Sequence, residues 1–291
     1  MRAWVWVLVG CGGSTLPSED SASPDVCGGS ISPGTVEILA TGFSKTEGLA
    51  FSPDGRLFVS AGDLIAEIQP DGSWSEVIAL EGGVGLAWWG DRLVAAGYPG
   101  GVGSVVSIDV DQGTMDVLTD QIEAPNFPTV TPWGSLLVSD ARSAIHELHG
   151  DGAVAVWLEI PGPNGTVFTP AGDTLWAVNT WDDPAPVWQI EVEGQRAGVP
   201  REVHAYAGGN FPDGVALGAS GDLYVSLNIT GLISRVSAEG AETVVAEGVD
   251  WTASIAFGVG EGWDPCSVYS TSLFGPDVYR IGVGEPGQGL P

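Results

Sequence analysis

Six stretches of the chain repeat one pattern, and that repeat constrains the fold more than any other feature. They are EGLAFSPDGRLFVS (47–60), VGLAWWGDRLVAA (84–96), NFPTVTPWGSLLVS (126–139), NGTVFTPAGDTLWAV (164–178), DGVALGASGDLYVS (213–226) and the degenerate ASIAFGVGEGWDPCSVYSTS (253–272). In each, an apolar strand meets a turn, usually with glycine, and returns as an apolar strand ending in small residues. Successive starts lie about 40 residues apart. Most copies are followed by a second hairpin, such as IAEIQPDGSWSEVI, VVSIDVDQGTMDVL, IHELHGDGAVAVWL or ISRVSAEGAETVV. Asp71-Gly72, Asp151-Gly152 and Glu239-Gly240 are the turns of three of them. Each unit therefore has four strands. Six such units around an axis make an all-β, six-bladed β-propeller over 34–291.

The sixth unit lacks a fourth strand before the chain reaches GEPGQGLP. A spare strand, GTVEILATGF (34–43), precedes the first unit. Val36–Ala40 is therefore expected to close the ring as the outer strand of blade six. This places Cys27 and Cys266 on the same bottom face, where a disulfide would lock the closure; two free thiols are the alternative.

The N-terminus MRAWVWVLVGC has one positive residue and a short apolar run ahead of Leu8-Val9-Gly10-Cys11. This resembles the lipobox of bacterial lipoproteins, in which the cysteine is lipidated. Residues 1–11 are read as the signal and Cys11 as the lipidation site, with 12–33 as a flexible polar tether. A lipid-anchored protein of the bacterial cell envelope is expected, in the periplasm or at the outer membrane; plain secretion is the alternative. The formal net charge of −28 repels phosphate backbones, so nucleic acid is excluded as a partner. Membrane contact is expected only through the anchor, and the protein is expected to be a monomer.

Aligning the repeats picks out the residue at the start of each inner strand: Glu47, Val84, Asn126, Asn164, Asp213 and Ala253. In a propeller this position faces the axis at the top mouth of the channel. Four of the six carry a side-chain oxygen. Asn and Asp also precede strands as plain turn residues. Four in register, however, would crowd polar groups and two carboxylates together without a partner. A divalent cation resolves this, because Ca²⁺ takes six to eight oxygen ligands, carboxylates and amide carbonyls among them. The absence of sulfur and imidazole argues against Zn²⁺ and Cu²⁺. Glu47, Asn126, Asn164 and Asp213 are thus the candidate metal ligands, with Ca²⁺ first and Mg²⁺ or Mn²⁺ as alternatives.

The same segments resemble the senescence marker protein/gluconolactonase/luciferin-regenerating enzyme family, over roughly residues 35–284. Diisopropyl fluorophosphatase and the paraoxonases are more distant relatives. The resemblance implies a catalytic divalent metal in the channel, with the family's Glu, Asn and Asp ligands at Glu47, Asn164 and Asp213. It implies that Asn126 faces metal or substrate, and it makes Asp213 the base or nucleophile. Many gluconolactonase-like members carry Asp after the third-blade Asn and Arg two residues before it. Here these are Phe127 and Ala124, so the pocket is more apolar and aldonolactone specificity is in doubt.

Top-face loops add Tyr98, Asp140, Arg142, Asn179, Trp181, Asn228 and Phe274 to the expected substrate pocket, beside Phe127. The three histidines map to surface or blade-edge positions. The expected function is metal-dependent hydrolysis of a small-molecule lactone or ester, the metal polarising the carbonyl. The alternative is a non-catalytic propeller that binds a ligand or protein through a structural Ca²⁺.

Overall fold

The segments that alternate apolar and small residues all form strands. The computed structural model describes residues 26–288. Its strands group into six antiparallel sheets, each of four strands with a small extra hairpin strand in blade four. The inner strands are Leu49–Phe51, Leu86–Trp89, Pro125–Val130, Pro163–Phe168, Pro212–Leu217 and Thr252–Phe257. Each contacts the next inner strand right round to the first, so they ring a central channel. Below the mouth the inner and second strands pair in regular register, for example Leu49↔Val59 and Val215↔Val225. Blade four departs in its long third strand, Ala185–Glu193, which pairs with both Arg196–Ala197 and the outer strand Arg201–Tyr206. Among the described residues, no helix is long and apolar enough to cross a membrane.

The core follows from this geometry. Side chains of a strand alternate between its two faces, so each blade buries one apolar set against each neighbour. Six separate apolar clusters result, one between each pair of blades. Ala50, Phe58 and Ile65 of blade one meet Leu86, Leu93 and Val106 of blade two. Ile255, Val268 and Tyr279 of blade six meet Ala216, Tyr224 and Ile233 of blade five.

Val36–Ala40 closes blade six, pairing antiparallel with Val278–Gly282 through Val36↔Ile281 and Glu37↔Arg280. Cys27 and Cys266 are joined, with Cα atoms 5.6 Å apart. Beside them Asp264 accepts hydrogen bonds from Ser30 Oγ at 2.5 Å, Ile31 N at 3.2 Å and Ser267 Oγ at 2.7 Å. Arg280 Nη2 lies 2.6 Å from the same carboxylate. Residues 26–33, the end of the expected tether, are thus held against blade six. Cys11 and the rest of the expected signal and tether lie outside the described residues. After Gly282 the chain crosses under blade five, where Glu285 accepts from Ser220 N at 2.8 Å and Tyr224 Oη at 2.7 Å.

Candidate active site at the channel mouth

Local sequence explains how the mouth residues are presented. In blades three to six the pairing of inner and second strands slips at the mouth: between Pro125 and Pro128, Pro163 and Thr166, Pro212 and Val215, Thr252 and Ile255. Such bulges release a residue from the ladder and re-aim its side chain. Glycine follows the mouth residue in four blades, as Gly48, Gly85, Gly165 and Gly214. A methyl group on Gly165 would collide with the carbonyl oxygen of Asp213 in the next blade, so glycine is what lets mouth residues of adjacent blades come close. The small residue ending the second strand completes the contact. Ser60 Oγ accepts from Gly48 N and donates to Val84 O of the next blade, both at 2.7 Å. Ser226 links Gly214 N to Ala253 O in the same way, and Thr271 Oγ1 donates to Glu47 O.

The mouth is electrostatically unsettled. Glu47 is pushed up to about 8, first by burial and then by the Asp213 carboxylate, with Lys45 pulling back. Asp213 is pushed up to about 7 by burial, against hydrogen bonds from Asn164 and Asn228. Asn164 is 5% exposed. Its Nδ2 donates to Thr180 Oγ1 at 2.8 Å, and Thr180 Oγ1 donates to Pro212 O at 2.6 Å. That chain fixes the amide and leaves Asn164 Oδ1 buried with no hydrogen-bond partner. Leaving such an acceptor unsatisfied costs about 1–3 kcal/mol. Among the described residues no group of three or more His, Cys, Asp and Glu is gathered; the mouth offers two carboxylates with amides instead. An orphaned amide oxygen on a residue that meets Asp213, with Asp213 in turn facing Glu47 and both carboxylates resisting ionisation, fits a hard, oxygen-seeking divalent cation. It does not fit a sulfur- or imidazole-seeking one.

The other expected pocket residues fall into three groups. Asp140, Asn179 and Asn228 are buried and hold loops. Asp140 Oδ1 accepts from Arg142 N at 3.0 Å. Asn179 donates to Pro161 O at 2.6 Å and Asp182 Oδ2 at 2.8 Å, and accepts from Trp181 N at 2.8 Å. Asn228 Nδ2 donates to Thr252 O at 3.0 Å and faces Asp213 Oδ2 at 3.4 Å, which makes it a support for that carboxylate. Tyr98, Arg142, Trp181 and Phe274 stand on the surface of the mouth. Tyr98 is half-buried, its hydroxyl raised by burial and then by Asp140 and Glu47. Arg142 pairs with Glu123 in the open, while Trp181 and Phe274 are exposed. Phe127 lies lower, where four other blades have glycine. With Leu86, Val215 and Ile255 it lines an apolar cavity of about 260 Å³ inside the channel, and none of the four candidate ligands lines that cavity.

Sequence reasoning passed over two mouth residues. Phe211 and Trp251, two positions ahead of Asp213 and Ala253, carry left-handed backbone with φ of 53° and 56°. For bulky residues this costs on the order of 1–3 kcal/mol each. The glycine after four of the six mouth residues was the visible sign of close approach there; nothing in composition marks a left-handed aromatic.

Comparison with known proteins agrees with this architecture. The family profile described as "SMP-30/Gluconolactonase/LRE-like region" matches residues 69–271. No curated protein matches. Among solved structures, a putative gluconolactonase superposes with a TM-score of 0.74 at 19% identity, covering 88% of this chain and 94% of its own. A gluconolactonase from Xanthomonas campestris does so with a TM-score of 0.73 at 18% identity, covering 87% and 89%. Regucalcin from Agrobacterium tumefaciens, a calcium-binding protein, gives 0.74 at 17%, covering 88% and 96%. At these identities the structural likeness speaks for the fold, and the profile match, spanning more than half of the chain, speaks for descent: the protein belongs to the SMP-30/gluconolactonase/LRE-like family.

Proposed function

We propose that the protein is a divalent-cation-dependent hydrolase that opens a small-molecule lactone or ester at the top mouth of its channel. The observation that carries this reading is the orphaned Asn164 Oδ1, on the amide that meets Asp213, whose carboxylate in turn faces Glu47. Glu47, Asn126, Asn164 and Asp213 would hold the cation, with Ca²⁺ favoured and Mg²⁺ or Mn²⁺ as alternatives. A bound cation supplies Lewis acidity, which offsets negative charge developing on a carbonyl oxygen. Asp213, part-exposed at the mouth, takes the proton of the attacking water and returns it to the alcohol oxygen released as the acyl C–O bond breaks; or it attacks the acyl carbon itself, expelling that oxygen, and water then cleaves the resulting anhydride. Asn228, tied to Thr252 O, holds that carboxylate in place. Phe127 and Ala124 offer no polar grip to a sugar ring, so the substrate is more apolar than an aldonolactone. Two of the similar structures bear gluconolactonase names and one is called calcium-binding, which supports the reading from outside the chain.

The test is turnover of a panel of lactones and aryl esters by the full-length protein with Ca²⁺, Mn²⁺ or EDTA, beside Glu47→Gln. Turnover that needs the cation and falls about 100-fold or more in the variant supports the hydrolase. Tight cation binding without turnover of any substrate points instead to a binding propeller with a structural Ca²⁺. We also propose export with a lipid on Cys11, since a disulfide between Cys27 and Cys266 suits an oxidising compartment. Cys11→Ser should move the protein from the membrane fraction to the soluble one; an unchanged distribution would sink the anchor.

A further inference from the structure

The position two residues ahead of each mouth residue is filled in turn by Lys45, Gly82, Ala124, Gly162, Phe211 and Trp251. Four of these six have left-handed backbone: Gly82 at φ 59°, Gly162 at 51°, Phe211 at 53° and Trp251 at 56°. The blade turn itself therefore asks for this conformation. Blades two and four meet it with glycine, which adopts it freely. Blades five and six meet it with large aromatic rings, against the backbone's preference. Burial does not account for the choice, because Trp251 is 39% exposed.

Each ring is met edge-on by a second, more exposed one. Phe211 packs on Trp181, ring centres 6.0 Å apart, and Trp251 on Phe274, 5.1 Å apart. Trp181 and Phe274 are each 65% exposed. The two pairs are joined at Asn228. Its N–H donates to Phe211 O at 3.0 Å, and its Nδ2 lies 3.3 Å from Trp251 O and 3.4 Å from Asp213 Oδ2. One buried asparagine thus ties both strained aromatic residues to the candidate reacting carboxylate. Lys45 and Ala124, at the matching positions of blades one and three, bring no ring.

We propose that Phe211, Trp251, Trp181 and Phe274 form a recognition wall for an apolar substituent of the substrate, on the blade-five and blade-six side of the mouth. This rests on the reading that the mouth is the reacting site, and it narrows the substrate to a lactone or ester bearing an aryl or other apolar group. Rings carried on backbone that Asn228 ties to the reacting carboxylate hold such a group without polar contacts. A ring whose edges carry hydroxyl groups gains less from them, because those groups find no polar partner there.

The experiment compares γ-phenyl-γ-butyrolactone with unsubstituted γ-butyrolactone. Wild type should prefer the phenyl compound in kcat/KM. The Phe211→Gly/Trp251→Gly double variant should lose that preference by about tenfold or more, with the unsubstituted ring turned over within about threefold of wild type. Glycine suits this backbone, as Gly82 and Gly162 show, so the variant keeps the turn. Trp181→Ala/Phe274→Ala alters only exposed rings and should give a smaller loss in the same direction. An unchanged preference in both variants would overturn the wall. If wild type hydrolyses neither lactone, the hydrolase reading fails separately. The wall is then read by calorimetry with the two corresponding lactams and Ca²⁺. Tighter binding of the phenyl lactam by wild type, lost in the glycine variant, supports it; equal binding of the two lactams, or none, refutes it.

Discussion

Two carboxylates at opposite faces of this molecule have opposite surroundings. Asp264, at the bottom of blade six, is pushed up by burial, yet hydrogen bonds from Ser30, Arg280, Ser267 and Cys266 N outweigh that and hold it well below the usual carboxylate range. Asp213, at the top of blade five, has only Asn164 and Asn228 against the same push, and burial wins. The first carboxylate is saturated by its own chain and serves as a lock. The second lies beside an amide oxygen with no partner and a second carboxylate that is also raised. A fold that can supply five donors to one aspartate did not do so at the other. On the proposed reading, a bound cation completes the mouth.

If that contrast is right, breaking the lock should harm stability alone. The largest effect is expected from Cys27→Ser/Cys266→Ser. The bridge spans 239 residues, and in the chain-entropy account so long a loop is worth about 4 kcal/mol or more. A fall in Tm of about 8 °C or more follows by calorimetry, with cation affinity unchanged; a Tm within a degree or two of wild type would show that strand pairing alone closes the ring. Asp264→Ala comes next. It leaves Arg280, 27% exposed, with only the Glu37 carboxylate at 3.9 Å and frees the donors of Ser30, Ser267 and Cys266, and the expected loss is about 2 kcal/mol by denaturant unfolding. Weakened cation binding in this variant would blur the division between lock and mouth.

The repeat made most of this architecture legible. Periodicity fixed the number of blades, because each copy is a strand pair that has to bury both faces. The missing fourth strand of blade six pointed to Val36–Ala40 as its completion, and the faces of the blade brought Cys27 to Cys266. The candidate ligands Glu47, Asn164 and Asp213 were visible because they recur at one place in the repeat. The lock around Asp264 was not, since its donors come from residues 234 positions away as well as from near neighbours. The crossing of Glu285 under blade five was hidden for the same reason. Phe211 and Trp251 were missed because a left-handed φ on a bulky residue runs against local preference, and only the packed loop enforces it. The row of glycines after the mouth residues was in plain view, but it reads as ordinary turn composition until the neighbouring carbonyls are in place.

A pH series without cation separates the two carboxylate environments further. A carboxyl whose value is raised in the folded state gives stability that is full below its unfolded value and is lost as pH rises through the folded one. For Glu47 and Asp213 that window runs from about 4 up to about 8. In EDTA, stability should fall across it by about 2 kcal/mol, a figure kept small because both groups are partly exposed and solvent screens them. Asp264, held low, acts with the opposite sign: its contribution stands at neutral pH and is lost only in acid. Added Ca²⁺ should flatten the fall above pH 5 and leave the acid limb alone, as read by Tm across the series. A flat series in EDTA would mean that the mouth carboxylates are already satisfied.

The smallest change in stability should come from Asp213→Asn, and its sign is the sharpest test of the comparison. Removing a partly desolvated charge that faces Glu47 relieves like-charge repulsion and desolvation in the cation-free protein. The variant should therefore match wild type in EDTA or exceed it by about 1 kcal/mol. In Ca²⁺ the order should reverse, because wild type gains stability from a ligand that binds only the folded state, and the variant binds that ligand about 30-fold or more weakly, equivalent to about 2 kcal/mol. An engineered Asp264→Asn cannot show this crossing, since its loss is the same with and without cation. A variant at 213 that is destabilised equally in both conditions would place Asp213 with Asp264, as a carboxylate the fold keeps for itself.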